Sequence, residues 1–168
     1  MRTNAGLRTL AIACILACFT EAQSVDVALT GGAGTTRGEG SRAGLTTPFG
    51  ASGTYWVATR MGIGVDYLRL KGNGDDAVHH AVSAKFILQS SGKTFRPFVA
   101  AGMGWLSTRQ GDIFNSPSRS NNSVTGLFEG GLAIHFSDKL FLRPAVRSYL
   151  YAGPLIAVVP VVSVGVTF

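Results

Sequence analysis

Seven charged residues stand among small or apolar neighbours: Asp26, Asp66, Lys85, Arg96, Glu129, Arg143 and Arg147. They do not cluster in sequence, so any joint chemistry depends on the fold that brings them together. If that fold buries them they must pair, because a lone buried charge is strongly penalised. The expected chemistry is therefore an ion network rather than a reaction centre. Glu129 and Arg143 should pair across adjacent segments, with Arg147, Arg96 and the two aspartates extending the set. Such a network can line a gated polar path or plug an interior, and the plug is the expectation here.

Other chemical motifs are weaker. His79 and His80 are adjacent, so in an extended chain they point to opposite faces and cannot chelate one metal together. Gly62 and Gly64 lie within an alternating apolar stretch, not before a helix, which removes the context of a phosphate-binding loop. Asn121-Asn122-Ser123 reads as loop. Both cysteines, Cys14 and Cys18, lie in the first 22 residues, which leaves no disulfide, zinc site or thiol nucleophile beyond them. No metal site and no cofactor are expected.

Those first residues follow the pattern of an export signal. Arg2 and Arg8 precede the apolar run Leu10–Phe19, and Thr20-Glu21-Ala22 offers small residues where a signal peptidase reads. The run is too short to span a bilayer as a helix. Cleavage is placed after Ala22, giving a signal peptide over 1–22 and one domain over 23–168. The remainder has 13 basic and 8 acidic residues, a net charge of +5. No basic cluster accompanies that excess, so nucleic acid is not an expected partner, and anionic lipid head groups are.

The elements that must position the seven charges come from alternation. Charged residues make up 14% of the chain, against about 25% in a soluble domain, yet no later segment is a long apolar run. In Val161–Phe168, Val162, Val164, Val166 and Phe168 share one face, opposite Val161, Ser163, Gly165 and Thr167. Side chains alternate across a strand, so this segment has an apolar face and a small or polar one. Seven more segments behave alike: Val25–Thr30, Phe49–Val57, Met61–Leu68, Ala81–Gln89, Phe95–Trp105, Phe128–Phe136 and Leu140–Leu150. The connections at 58–60, 90–94 and 137–139 are short. Those at 31–48, 71–77 and 107–123 are long and rich in Gly, Ser and Asn, and 151–154 is a short fourth.

Eight strands with short turns at one end and long loops at the other form the arrangement of an outer-membrane barrel. The predicted fold is all-β: an eight-stranded antiparallel up-and-down transmembrane β-barrel whose strands have roughly the 9–11 residues that a tilted span needs. A soluble barrel of the lipocalin kind also has eight alternating strands. It would need many Lys and Glu on its polar face, and here that face is mostly Gly, Ala, Ser and Thr. Phe95, Phe136 and Phe168 fall at the short-turn ends and Tyr67 and Trp105 near the long-loop ends, as two interfacial girdles require. Pro97, Pro144 and Pro160 fall inside proposed strands. Pro160, deep in the last one, suggests a bulge.

The chain resembles the OmpA/OmpX-type outer-membrane barrel domain along nearly all of residues 23–168. The resemblance rests on Arg96–Trp105 (RPFVAAGMGW), Phe136–Pro144 (FSDKLFLRP) and Val164–Phe168 (VGVTF). It implies residence in the bacterial outer membrane, with lipid and lipopolysaccharide as surroundings. It also implies insertion by the outer-membrane assembly machinery, which reads a terminal aromatic and alternate apolar residues; Phe168, Val166, Val164 and Val162 match. No peptidoglycan-binding domain is expected after Phe168.

The expected function is a small structural membrane barrel, monomeric, with a closed lumen and no catalytic residues. One alternative is a surface adhesin or polysaccharide binder, using Arg37, Arg42, Arg109 and Arg119 in the loops. A weaker one is lipid A acyl hydrolysis, since His135-Phe136-Ser137 resembles the His-x-Ser element of outer-membrane lipid A deacylases. The chain departs from that family with Asp138-Lys139, a turn, where the family's strand continues with Asn, and it has no Glu at suitable spacing.

Overall fold

The computed structural model describes residues 24–36, 44–72, 78–109, 120–151 and 156–168. The expected signal segment lies outside the described residues. Strands form wherever the sequence alternates: β1 (Ser24–Gly32), β2 (Gly34–Thr36), β3 (Gly44–Ala58), β4 (Met61–Gly72), β5 (Val78–Gln89), β6 (Phe95–Arg109), β7 (Ser120–His135), β8 (Leu140–Tyr151) and β9 (Ile156–Thr167). Every pairing is antiparallel, and consecutive barrel strands are neighbours. β1 and β2 both lie between β3 and β9, in one unshifted register, so they are two pieces of a single barrel strand. The ring closes where Asp26–Gly32 pairs with Val161–Thr167. The architecture is thus the closed eight-stranded up-and-down barrel expected from the sequence, with no helix among the described residues. Closure leaves no unpaired sheet edge, which is a requirement for backbone in a bilayer.

The strands are longer than 9–11 residues. β4, β5, β8 and β9 have 12 residues, β3 and β6 have 15, and β7 has 16. The extra length lies at the long-loop end, so parts of 31–48 and 107–123, read from composition as loop, are strand instead. Backbone pairing continues past the hydrocarbon layer, where nothing forces side chains to alternate, so the pattern that marks a strand fades before the strand does.

The prolines interrupt pairing without shifting it. Gly32 pairs with Val161 and Thr35 with Val158, which places Ala33 opposite Pro160 in a continuous register. On the other side, Gly31 pairs with Phe49 and Gly34 with Thr46, which places Gly32 opposite Pro48. Neither proline has an N–H to donate, and the first barrel strand breaks at Ala33 between them. Pro160 is therefore not a bulge: β9 keeps its register with β8 from Leu150–Ile156 to Leu140–Val166. Pro144 acts likewise, and the β7–β8 ladder lapses at Leu132–Ala133 and resumes unshifted. Among the described residues the register shifts only between Trp56 and Ala58.

The two faces separate cleanly. Among the described residues, 27 large apolar side chains are exposed around the outside, including Met103 at 68% and Phe49 at 65%. Leaving a Val, Leu or Phe in water costs about 1.5–3 kcal/mol, so this surface suits hydrocarbon and excludes the soluble barrel. Phe95, Phe136 and Phe168 ring the short-turn end, and Tyr67 and Trp105 stand toward the other. Inward positions are small where walls approach. A Cβ on Gly165 would lie 2.5 Å from both the Phe141 ring and the Val27 carbonyl, so that position has room for hydrogen alone.

Candidate functional site: the charged lumen and its mouth

The pleat turns Asp26, Asp66, Lys85, Glu129, Arg143 and Arg147 inward, and all six are buried. They form two layers. In the central layer, Lys85 Nζ lies 2.9 Å from Asp66 Oδ2 and 2.6 Å from Glu129 Oε2. Arg147 lies 3.1 Å from Asp66 through Nη2 and 3.1 Å from Glu129 through Nε. Two cations and two carboxylates thus alternate in a closed square that draws on β4, β5, β7 and β8, ties four strands across the lumen and leaves no net charge.

The second layer lies nearer the short turns. Asp26 accepts from Arg143 Nη2 at 2.9 Å, from the Trp56 indole Nε1 at 2.7 Å and from Thr167 Oγ1 at 2.6 Å. The Arg143 guanidinium also lies over two rings, 4.6 Å from the centre of Phe141 and 5.4 Å from that of Phe98. The aromatic faces and the carboxylate together hold its charge.

The expected Glu129–Arg143 pair does not form. Glu129 sits directly opposite Arg147, and Arg143 is four residues further along β8, about 13 Å away at strand rise. Choosing between the two arginines needed the β7–β8 register, which alternation leaves free by steps of two. Arg96 also stands apart from the ion pairs. It is half-buried at the barrel mouth, where its Nε donates to the Gly92 carbonyl at 2.7 Å. Trp56 and Thr167 are members the sequence reading missed. Trp56 left a signal, as the one tryptophan in the polar phase of its strand.

On the long-loop side of the central layer the buried side chains are mostly apolar, with Thr46 and Thr125 among them. Leu68, Leu70, Leu127, Tyr149, Ala157 and Val159 are essentially inaccessible. On the short-turn side a cavity of about 400 Å³ opens below Asp26. Among its walls are Trp56, Gln89, Lys93, Arg96, His135 and Asp138. The His135 ring packs 5.8 Å from that of Phe141, and its buried Nε2 has no partner among the described residues. Ser137 Oγ accepts from the backbone N–H of Leu140 at 3.1 Å and of Lys139 at 3.3 Å, the contacts of a turn-forming serine.

His80 is at the opposite end, where its Nδ1 is 2.8 Å from the Tyr67 hydroxyl. No group of three or more metal-ligating side chains occurs among the described residues. Arg37, Arg42 and Arg119 lie outside the described residues, and Arg109 is placed only through its backbone, paired with Val78 and Ser120.

No family model and no curated protein matches the sequence, but solved structures match its fold. Neisserial surface protein A superposes with a TM-score of 0.74 at 12% identity, covering 88% of this chain and 100% of that one. The N-terminal β-barrel domain of Pseudomonas aeruginosa OprF gives 0.69 at 16% identity, covering 87% and 98%. The fold is that of a small eight-stranded outer-membrane β-barrel. Ail, the attachment invasion locus protein of Yersinia pestis, crystallised with the heparin analogue sucrose octasulfate, gives 0.67 at 11% identity, covering 87% and 99%. In all three the match runs over almost the whole of the other chain, so the likeness is to a complete barrel.

Proposed function

We propose that this outer-membrane barrel is a structural wall element with a closed lumen, and that it neither conducts nor catalyses. The observation that carries this reading is the stacking of the closed ion square on the apolar plug. A path along the axis would have to separate Lys85 and Arg147 from two carboxylates and then hydrate a layer of inaccessible Leu and Val side chains. An eight-stranded barrel has an interior just wide enough for side chains to fill it. In planar bilayers the purified protein should show no unitary conductance above the bare-membrane baseline. Discrete, voltage-stable openings would overturn the closed lumen.

The same reading assigns lipid and lipopolysaccharide as the surroundings of the apolar belt. It assigns residues 1–22 to an export signal and a monomer to the membrane. The outward face of β9, with Val162, Val164 and Val166 exposed and continued by Phe168 at 77%, is the face that the assembly machinery would recognise. Replacing Phe168 with Ala should cut the heat-modifiable, folded fraction in membranes several-fold while leaving refolding into detergent intact. Equal loss in both settings would make Phe168 a packing residue instead.

A further inference from the structure

We propose that the blind mouth at the short-turn end is a binding site for a phosphoryl oxyanion. The cavity is a built feature of the barrel, closed above by the Asp26–Arg143 pair and by Trp56. Its volume of about 400 Å³ falls within the range of small-ligand sites, roughly 300–1,000 Å³.

Three basic side chains line it from three elements: Lys93 from the β5–β6 turn, Arg96 from the start of β6 and His135 from the end of β7. Each has capacity to spare. Arg96 spends its Nε on the Gly92 carbonyl, which fixes the guanidinium and leaves its two terminal nitrogens. Lys93 forms no ion pair with a described residue, and the His135 Nε2 is buried and without a partner. The acids offset them only in part. Asp26 is saturated by Arg143, Trp56 and Thr167, and Asp138 stands exposed at the rim. The mouth is therefore net positive and rich in donors.

A fork and an ammonium on the wall of one space, beside an imidazole, suit a tetrahedral oxyanion with three terminal oxygens better than a planar carboxylate with two. Asp138 can accept from a hydroxyl carried beside the phosphoryl group. The ligand is either free phosphate or a small phosphomonoester, which share the recognised group.

The test uses refolded, detergent-solubilised protein with Trp105→Phe, so that Trp56 in the cavity wall is the sole tryptophan of the barrel. Inorganic phosphate and glycerol 3-phosphate are titrated separately at constant ionic strength. Saturable change in Trp56 emission is expected with at least one of them. Tighter binding of the ester identifies an esterified ligand and equal binding a free phosphate, and each upholds the site. Arg96→Gln should weaken binding about tenfold, the size of one charge-assisted hydrogen bond. Arg69→Gln, on the outer wall at the far end, should leave it unchanged, and both variants should keep the heat-modifiable migration of the folded barrel. The proposal fails if neither probe saturates, if acetate binds as tightly as phosphate, or if folded Arg96→Gln binds like the parent.

Discussion

Replacing Arg147 with Met should destabilise the barrel by about 3–5 kcal/mol, the usual cost of stranding a buried charge by removing its partner. Arg147 is one of the largest fully buried side chains and one of two cations serving Asp66 and Glu129. Without it, two carboxylates share Lys85 in a buried layer, and that layer carries a net charge of −1. The loss belongs to the stranded acids rather than to missing packing, since Met fills most of the same volume. Arg147→Met with Glu129→Gln should therefore recover a large part of it, because the layer is then neutral again, with Lys85 facing Asp66. Equilibrium unfolding in urea from lipid vesicles, followed by tryptophan emission, measures both variants. Equal stability of the single and double variants would show that the square contributes through shape and not through charge.

This prediction also marks how far the sequence could be read. Alternation assigned every charged residue of the network to the lumen, because the side-chain period is two and the outside must be apolar. It could not name the partners. Sliding one strand by four residues, two steps of the pleat, preserves both faces and exchanges one arginine for the other, and that freedom separates the expected Glu129–Arg143 pair from the observed Glu129–Arg147 pair. Arg96 shares the polar phase of that set, yet its position at the start of β6 puts it at the mouth, within reach of the Gly92 carbonyl.

Pro160 shows the same limit in the backbone. Read alone, a proline deep in a strand implies a bulge. Its actual consequence, a break at Ala33 opposite, depends on Pro48 meeting the same strand from the other side, a coincidence of two registers that no local pattern contains. The mouth was illegible for a related reason. Lys93 and Asp138 lie in turns, and turn composition says that a turn exists without saying what its side chains face.

The second large effect is on the outer surface. Val65→Arg should lower stability by about 2–4 kcal/mol in a bilayer, the cost of an arginine facing lipid near the midplane. Val65 is 60% exposed and lies mid-strand, opposite Gly53 on β3 and Ala84 on β5, four residues from Met61 at the short-turn end of the strand. The guanidinium cannot turn inward, because the adjacent lumen-facing positions, Gly64 and Asp66, belong to the other face of the pleat and are already enclosed. It must either reach for a distant interface or draw water into the hydrocarbon. Met61→Arg, on the same face of β4 at its short-turn end, should cost only about 0–1 kcal/mol, since there the charge reaches head groups. The difference between these two sites is the decisive quantity. A soluble barrel would tolerate arginine equally well at both, and a membrane barrel imposes a gradient with depth. Unfolding midpoints of the two variants in vesicles give that gradient directly. Equal costs would mean that the exposed belt does not meet lipid, whatever the alternation of its strands.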